Sequence, residues 1–226
     1  MSDLPLLNSK EVLIIYGGVC CLLYVGTDGF HLEAPFVMIM PTLSLIMLTL
    51  ILRMKKTTKL FTSLTFMVFA LAVYLHSSHW NNNLQTICCL FTMAHILYIL
   101  PFILSIRRLW FGCAAVITIY VGAFLYFCFV DLFLSIPVLI LNLSFHFIIL
   151  AISLITAGSI WYYGSEQENK QEDALLRFLG LLSFMALASL LILNRFGSRI
   201  DGFNYITTAL FYIGQLLLFV ANQQII

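Results

Sequence analysis

Gly180 to Gln215 reads GLLSFMALASLLILNRFGSRIDGFNYITTALFYIGQ. Two apolar runs flank a short polar segment that carries Asn194, Arg195, Ser198, Arg199 and Asp201. No side chain between Arg177 and Arg195 ionises, and Ala188 lies near the middle of that run. A membrane-spanning helix needs about 20 mostly apolar residues, and roughly 17 suffice. The stretch therefore predicts two spanning helices joined by a short polar loop.

The same pattern extends through the chain. Apolar runs at about 11–27, 35–52, 60–76, 84–106, 109–130, 132–161, 174–193 and 203–222 predict an all-α integral membrane protein, with eight transmembrane helices in one bundle and a single domain over 1–226. The weakest division is at Asp131, where length decides: 109–161 is far too long for one crossing, and Pro137 is tolerated near a helix start. Composition agrees. The 226 residues are 62% hydrophobic and 9% charged, whereas soluble domains carry about 25% charged residues. A net charge of +1 supplies no global field for nucleic acid.

Eight spans place both termini on one side. Lys10, Arg53, Lys55, Lys56, Lys59, Arg107, Arg108, Lys170 and Arg177 fall on that side, and only Arg195 and Arg199 on the other. Basic loops face the cytosol, so both termini are expected there. The polar segment SEQENKQED (165–173) reads as a solvated cytosolic loop. The opposite face collects Asp28, His31, Glu33, His76, His79, Trp80, Asn81, Asn82, Asn83 and Asp131, without a glycosylation sequon at the asparagines. The first apolar run lacks a basic start and a clear cleavage site, and reads as a retained helix.

All six cysteines lie in apolar runs without metal-ligand spacing, so buried apolar thiols are expected and neither a disulfide framework nor a zinc site. No metal, nucleotide or haem is indicated, and no nucleophile elbow, zinc-protease or phosphate-loop motif occurs. Polar residues at membrane depth are costly and usually face protein or water. Here they are His95, Tyr98, Asn142, His146, Tyr212 and Gln215, forming three same-face pairs by their spacing of three or four. Such faces either line one polar cavity or serve as interhelical hydrogen bonds. Acids are missing from the span centres, which argues against a proton- or sodium-coupled transporter.

FTMAHILY (91–98) resembles the Phe-x-x-Ala-His-x-x-Tyr motif of the lysoplasmalogenase (YhhN-like) family of eight-span membrane proteins. Gly180, Phe184, Asn194, Phe196, Tyr212 and Gln215 fall at that family's spacing without a gap, and Pro41 and Pro137–Val138 agree more loosely. The resemblance implies hydrolysis of the vinyl-ether bond of lysoplasmalogens to a fatty aldehyde and a glycerophospho-base. It also implies two intramembrane Asp residues as acid and base. In this chain those positions hold Ala72 and Ala188, and no Asp or Glu occurs between Glu33 and Asp131. Met38 and its neighbours precede Pro41, where the family tends to carry a basic residue.

Three readings follow. The chain is a family member that has lost hydrolysis and keeps a lipid-binding or partner-binding role. Or it hydrolyses with substitutes such as His95, His146, His76 or Asp131. Or it is an unrelated receptor or transporter. The expected partners are membrane lipids, lysophospholipid among them, and the resemblance implies residence in the endoplasmic reticulum or another endomembrane.

Overall fold

A computed structural model describes residues 9–29, 34–52, 54–78, 84–164, 171–197 and 199–223. His31, Glu33, Arg53, His79, Trp80, Asn81, Asn82, Asn83, Lys170 and Ser198, with most of the 165–173 segment, lie outside the described residues. The rest forms eight helices: α1 Ser9–Gly26, α2 Pro35–Ile51, α3 Lys56–Ser77, α4 Leu84–Ile103, α5 Phe111–Phe129, α6 Pro137–Tyr163, α7 Gln171–Phe196 and α8 Phe203–Gln223. Six of them, α3 to α8, are long and apolar enough to cross a membrane, and α2 is a shorter apolar helix.

Local chemistry sets the boundaries. Pro35 and Pro137 each open a helix, where their missing N–H costs nothing. Pro137 also pushes Ile136 out of helical geometry, to φ −138° and ψ 59°. The sixth helix therefore begins at the proline itself, and turns fill 130–135 after α5. Gly164 ends α6 at φ +78°, a conformation that suits glycine. Pro41 interrupts α2 from within and leaves the Val37 carbonyl without its helical donor. At the end of α2, the Lys59 ammonium donates to the Leu50 and Leu52 carbonyls at 2.6 and 3.2 Å, the favourable place for a cation.

Six helices close a ring in the order α2, α3, α4, α6, α7, α8, with α8 returning to α2; α1 packs outside on α2, and α5 outside on α6. α5 buries only Cys113, Val121 and Phe129. The surface is apolar: Leu104 is 93% exposed, Leu134 91% and Phe127 80%. Inside, His95, Gln215, Thr42, Thr62, Ser153 and Arg177 are buried. An apolar exterior with the buried polar side chains turned inward is the distribution that lipid selects.

The tightest seam is α7 against α8. A Cβ on Gly180 would stand 2.7 Å from Leu218 Cδ2 and 3.1 Å from the Gly214 carbonyl oxygen. Small residues permit this close approach, as in membrane helix pairs generally. At the loop end of the same hairpin, the Asn194 side chain accepts the Ile200 N–H at 3.1 Å.

The seventh helix starts earlier than its apolar run, and this corrects two expectations. Asp173 belongs to the first turn of α7 and is 1% exposed, so it is not part of a solvated loop. Arg177, counted above among the loop cations, is 2% exposed. The charge at position 173 gains from the helix N-terminus, and Arg177 follows one turn later on the same face.

Candidate functional site

Aromatic rings fill the middle of the ring of helices. Phe69 of α3 stacks on Phe184 of α7, with centroids 5.2 Å apart and planes 5° from parallel. Phe91 of α4 and Phe211 of α8 meet Phe69 edge-on or tilted at 5.8 and 6.0 Å. His95 enters this cluster with its ring 5.3 Å from Phe69 and 4.9 Å from Phe184. His146 of α6 sits 5.3 Å from His95, nearly perpendicular to it.

Hydrogen bonds fix both imidazole tautomers. His95 Nδ1 lies 2.7 Å from the Phe91 carbonyl, which can only accept, so Nδ1 carries the proton. The Thr92 hydroxyl donates to the Cys88 carbonyl at 2.8 Å. Thr92 Oγ1 therefore accepts from His146 Nδ1 at 3.0 Å. In the neutral rings both Nε2 atoms are lone-pair acceptors. His95 Nε2 is buried and has no hydrogen-bond partner.

Tyr212 and Gln215 turn toward α2. The Tyr212 hydroxyl donates to the Met38 carbonyl, and its own carbonyl accepts from Tyr16 of α1 at 3.0 Å. Gln215 Oε1 accepts from the Thr42 hydroxyl at 2.9 Å, next to Pro41. Thr42→Val should therefore cost about 1 kcal/mol, the scale of a membrane-buried hydrogen bond, read as lowered melting temperature in detergent; an unchanged melt would show that the bond contributes nothing.

The Tyr98 hydroxyl crosses the interior to the Leu218 carbonyl at 3.1 Å. Phe91 faces Phe211 at 5.9 Å. Both pairs share an offset of 120 positions, so α4 and α8 face each other in parallel register. His95 and Gln215 share that offset and so occupy one level, between the Phe91–Phe211 and Tyr98–Leu218 contacts. Of the six polar residues picked from sequence, five are buried; Asn142 is half-buried one turn before His146. His146 is bonded to Thr92, not to Asn142. Ala72 is fully buried, three residues beyond Phe69, and Ala188 is half-buried against the core, four residues beyond Phe184.

A second polar cluster had no forewarning in the apolar pattern. Arg177 Nη2 donates to the Ala221 carbonyl and to Asn222 Oδ1, both at 3.0 Å. Asn222 Nδ2 donates to Thr62 Oγ1 at 2.9 Å. The guanidinium lies 4.8 Å over the Phe102 ring, and the Tyr98 hydroxyl has both Arg177 and Asp173 as charged neighbours. The i, i+4 spacing of Asp173 and Arg177 was its one trace in the sequence. Among the described residues Asp173 is the only buried acid, and no group of three or more His, Cys, Asp or Glu is placed to hold a metal ion.

An apolar-skinned helical ring around a histidine–aromatic centre defines a multi-pass membrane protein. Its sequence identifies the kind: the YhhN family profile matches residues 32–222, and the chain belongs to the YhhN family, the lysoplasmalogenase family. No curated protein sequence and no solved structure matches it.

Proposed function

We propose that this protein is an eight-span YhhN-family member that holds an ether lysophospholipid in its interior and does not hydrolyse the vinyl-ether bond. Membership in the family removes the unrelated receptor or transporter from the three readings. The observation that carries the proposal is the make-up of the centre: His95 and His146 among the rings of Phe69, Phe91, Phe184 and Phe211, with Ala72 buried and Ala188 half-buried at the positions where the family resemblance expects Asp.

Vinyl-ether hydrolysis begins with proton delivery to the alkenyl carbon, which leaves an oxocarbenium-like centre. Water then adds to that centre, and the hemiacetal breaks to aldehyde and alcohol. One group must give the first proton and another must take one from water, each worth about 10²–10⁴-fold. The neutral His95 and His146 rings carry their protons on Nδ1, committed to Phe91 and Thr92, so neither offers one from Nε2. Asp173 lies with Arg177 at the end of the bundle where α7 begins. An apolar chain, by contrast, suits the aromatic interior.

Orientation belongs to the same proposal. Lys55, Lys56, Lys59, Arg107 and Arg108 flank one end of the bundle, and Arg195 and Arg199 the other, so both termini face the cytosol. At 17 residues α2 is just long enough for a seventh span, and α1, at 18 residues, supplies the eighth. Endomembrane residence follows the family likeness.

Purified protein offered lysoplasmenyl-ethanolamine should release no aldehyde above an empty-membrane control, while lysophospholipid should co-purify in excess over its share of the surrounding membrane. Aldehyde release that His95→Ala abolishes would establish the enzyme reading instead. Co-purified lipid of bulk composition would remove the binding role.

A further inference from the structure

The buried polar atoms of the interior leave two without a partner at one level of the bundle. His95 Nε2 is an acceptor, because Nδ1 is committed to the Phe91 carbonyl. Gln215 Nε2 is a donor, because its Oε1 is committed to Thr42. His95 is 1% exposed and Gln215 fully buried. An orphaned buried donor or acceptor costs about 1–3 kcal/mol, and native interiors leave few of them. Two at the same level, one of each kind, on helices that face each other, describe half of a hydrogen-bonding arrangement whose other half is a guest.

The missing half has a definite chemistry. It must donate to His95 Nε2 and accept from Gln215 Nε2. A phosphate diester or a carboxylate accepts and cannot donate; an ammonium donates and cannot accept. A hydroxyl oxygen does both with one atom. The surroundings also disfavour an ion: the His95 ring is flanked by Phe69, Phe184 and the neutral His146, and the buried charges among the described residues, Asp173 and Arg177, lie toward the start of α7. A neutral hydroxyl is the polar group that such a site accommodates at least cost.

We propose that a hydroxyl oxygen binds between His95 Nε2 and Gln215 Nε2, supplied by the free glycerol hydroxyl of a lysophospholipid or, with no lipid bound, by water. The lipid source rests on the binding role proposed above; the water source does not. Seating the glycerol there lets the alkyl chain run along the aromatic cluster and leaves the phosphate outside the apolar centre.

The full-length protein in nanodiscs, titrated by native mass spectrometry with 1-O-alkyl-lysophosphatidylethanolamine and with its 2-deoxy counterpart, tests this. Wild type should retain the hydroxylated lipid about fivefold to tenfold better, the worth of one buried hydrogen bond. Gln215→Met should bind both equally. The ratio is taken within one protein, so a variant of poor yield still reports. A high-resolution structure without added lysolipid should show one water density within hydrogen-bond reach of both nitrogens. Lipid discrimination that survives Gln215→Met overturns the proposal, as does equal binding of the two lipids with no density between the nitrogens. Water density with no lysolipid binding at all supports the hydroxyl site and overturns the lipid-binding role. Equal binding with the water density present assigns the site to water.

Discussion

Replacing Arg177 by leucine is expected to destabilise the bundle by about 3–5 kcal/mol, the usual result of removing one member of a buried charged set. The cost has three parts. Two hydrogen bonds to the end of α8 vanish, at Ala221 and Asn222. The cation over Phe102 is lost. Asp173, 1% exposed, loses the guanidinium one turn away. The last part should dominate, because a buried carboxylate deprived of a nearby cation costs more than a lost hydrogen bond. Reversible unfolding in mixed micelles measures it, and the pairing with Asp173 has its own readout. Asp173→Asn combined with Arg177→Leu should recover about 1 kcal/mol or more of the sum of the single changes, as coupled neighbours do. A single variant within about 1 kcal/mol of wild type, with additive behaviour in the double, would remove Arg177 from the scaffold.

The second large effect concerns the α7–α8 seam. Gly180→Val should cost about 3 kcal/mol, the upper range for overpacking. Even the first added carbon meets the Gly214 carbonyl oxygen at 3.1 Å, and that atom belongs to backbone that cannot rotate away. Gly214→Ala presses first on the Phe184 ring at 3.0 Å and meets the Gly180 carbonyl oxygen less closely, at 3.3 Å. A ring edge has more room to give than a carbonyl, so Gly214→Ala should be the milder change. Equal losses for the two would mean that seam spacing is set elsewhere, and thermal unfolding of the purified variants compares them directly.

Helices were legible from the chain because apolar run length reports them directly, and all eight expected runs coincide with helices. Their ends were less so. A run of hydropathy stops at the first polar residue, whereas a helix continues while its N–H groups find acceptors. α7 thus reaches back to Gln171 through Glu172 and Asp173. The burial of Asp173 and Arg177 was illegible for the same reason: both charges sit where a loop was expected, and their neighbours Asn222 and Thr62 are distant in sequence. At the candidate site, the intrahelical spacings paired His95 with Tyr98 and Tyr212 with Gln215. They left open which face meets which. The His95–His146 contact and the common level of His95 and Gln215 depend on helix neighbours 51 and 120 positions apart, which no local period encodes.

The common offset of α4 and α8 has a mechanical meaning. Phe91 on Phe211 and Tyr98 on Leu218 act like two teeth of a rack, and they hold His95 level with Gln215 only while both engage. Sliding one helix along the other by even part of a turn, about 5.4 Å long, breaks both at once. The register of the two helices is thus held at two points, two turns apart, rather than by continuous packing along their length.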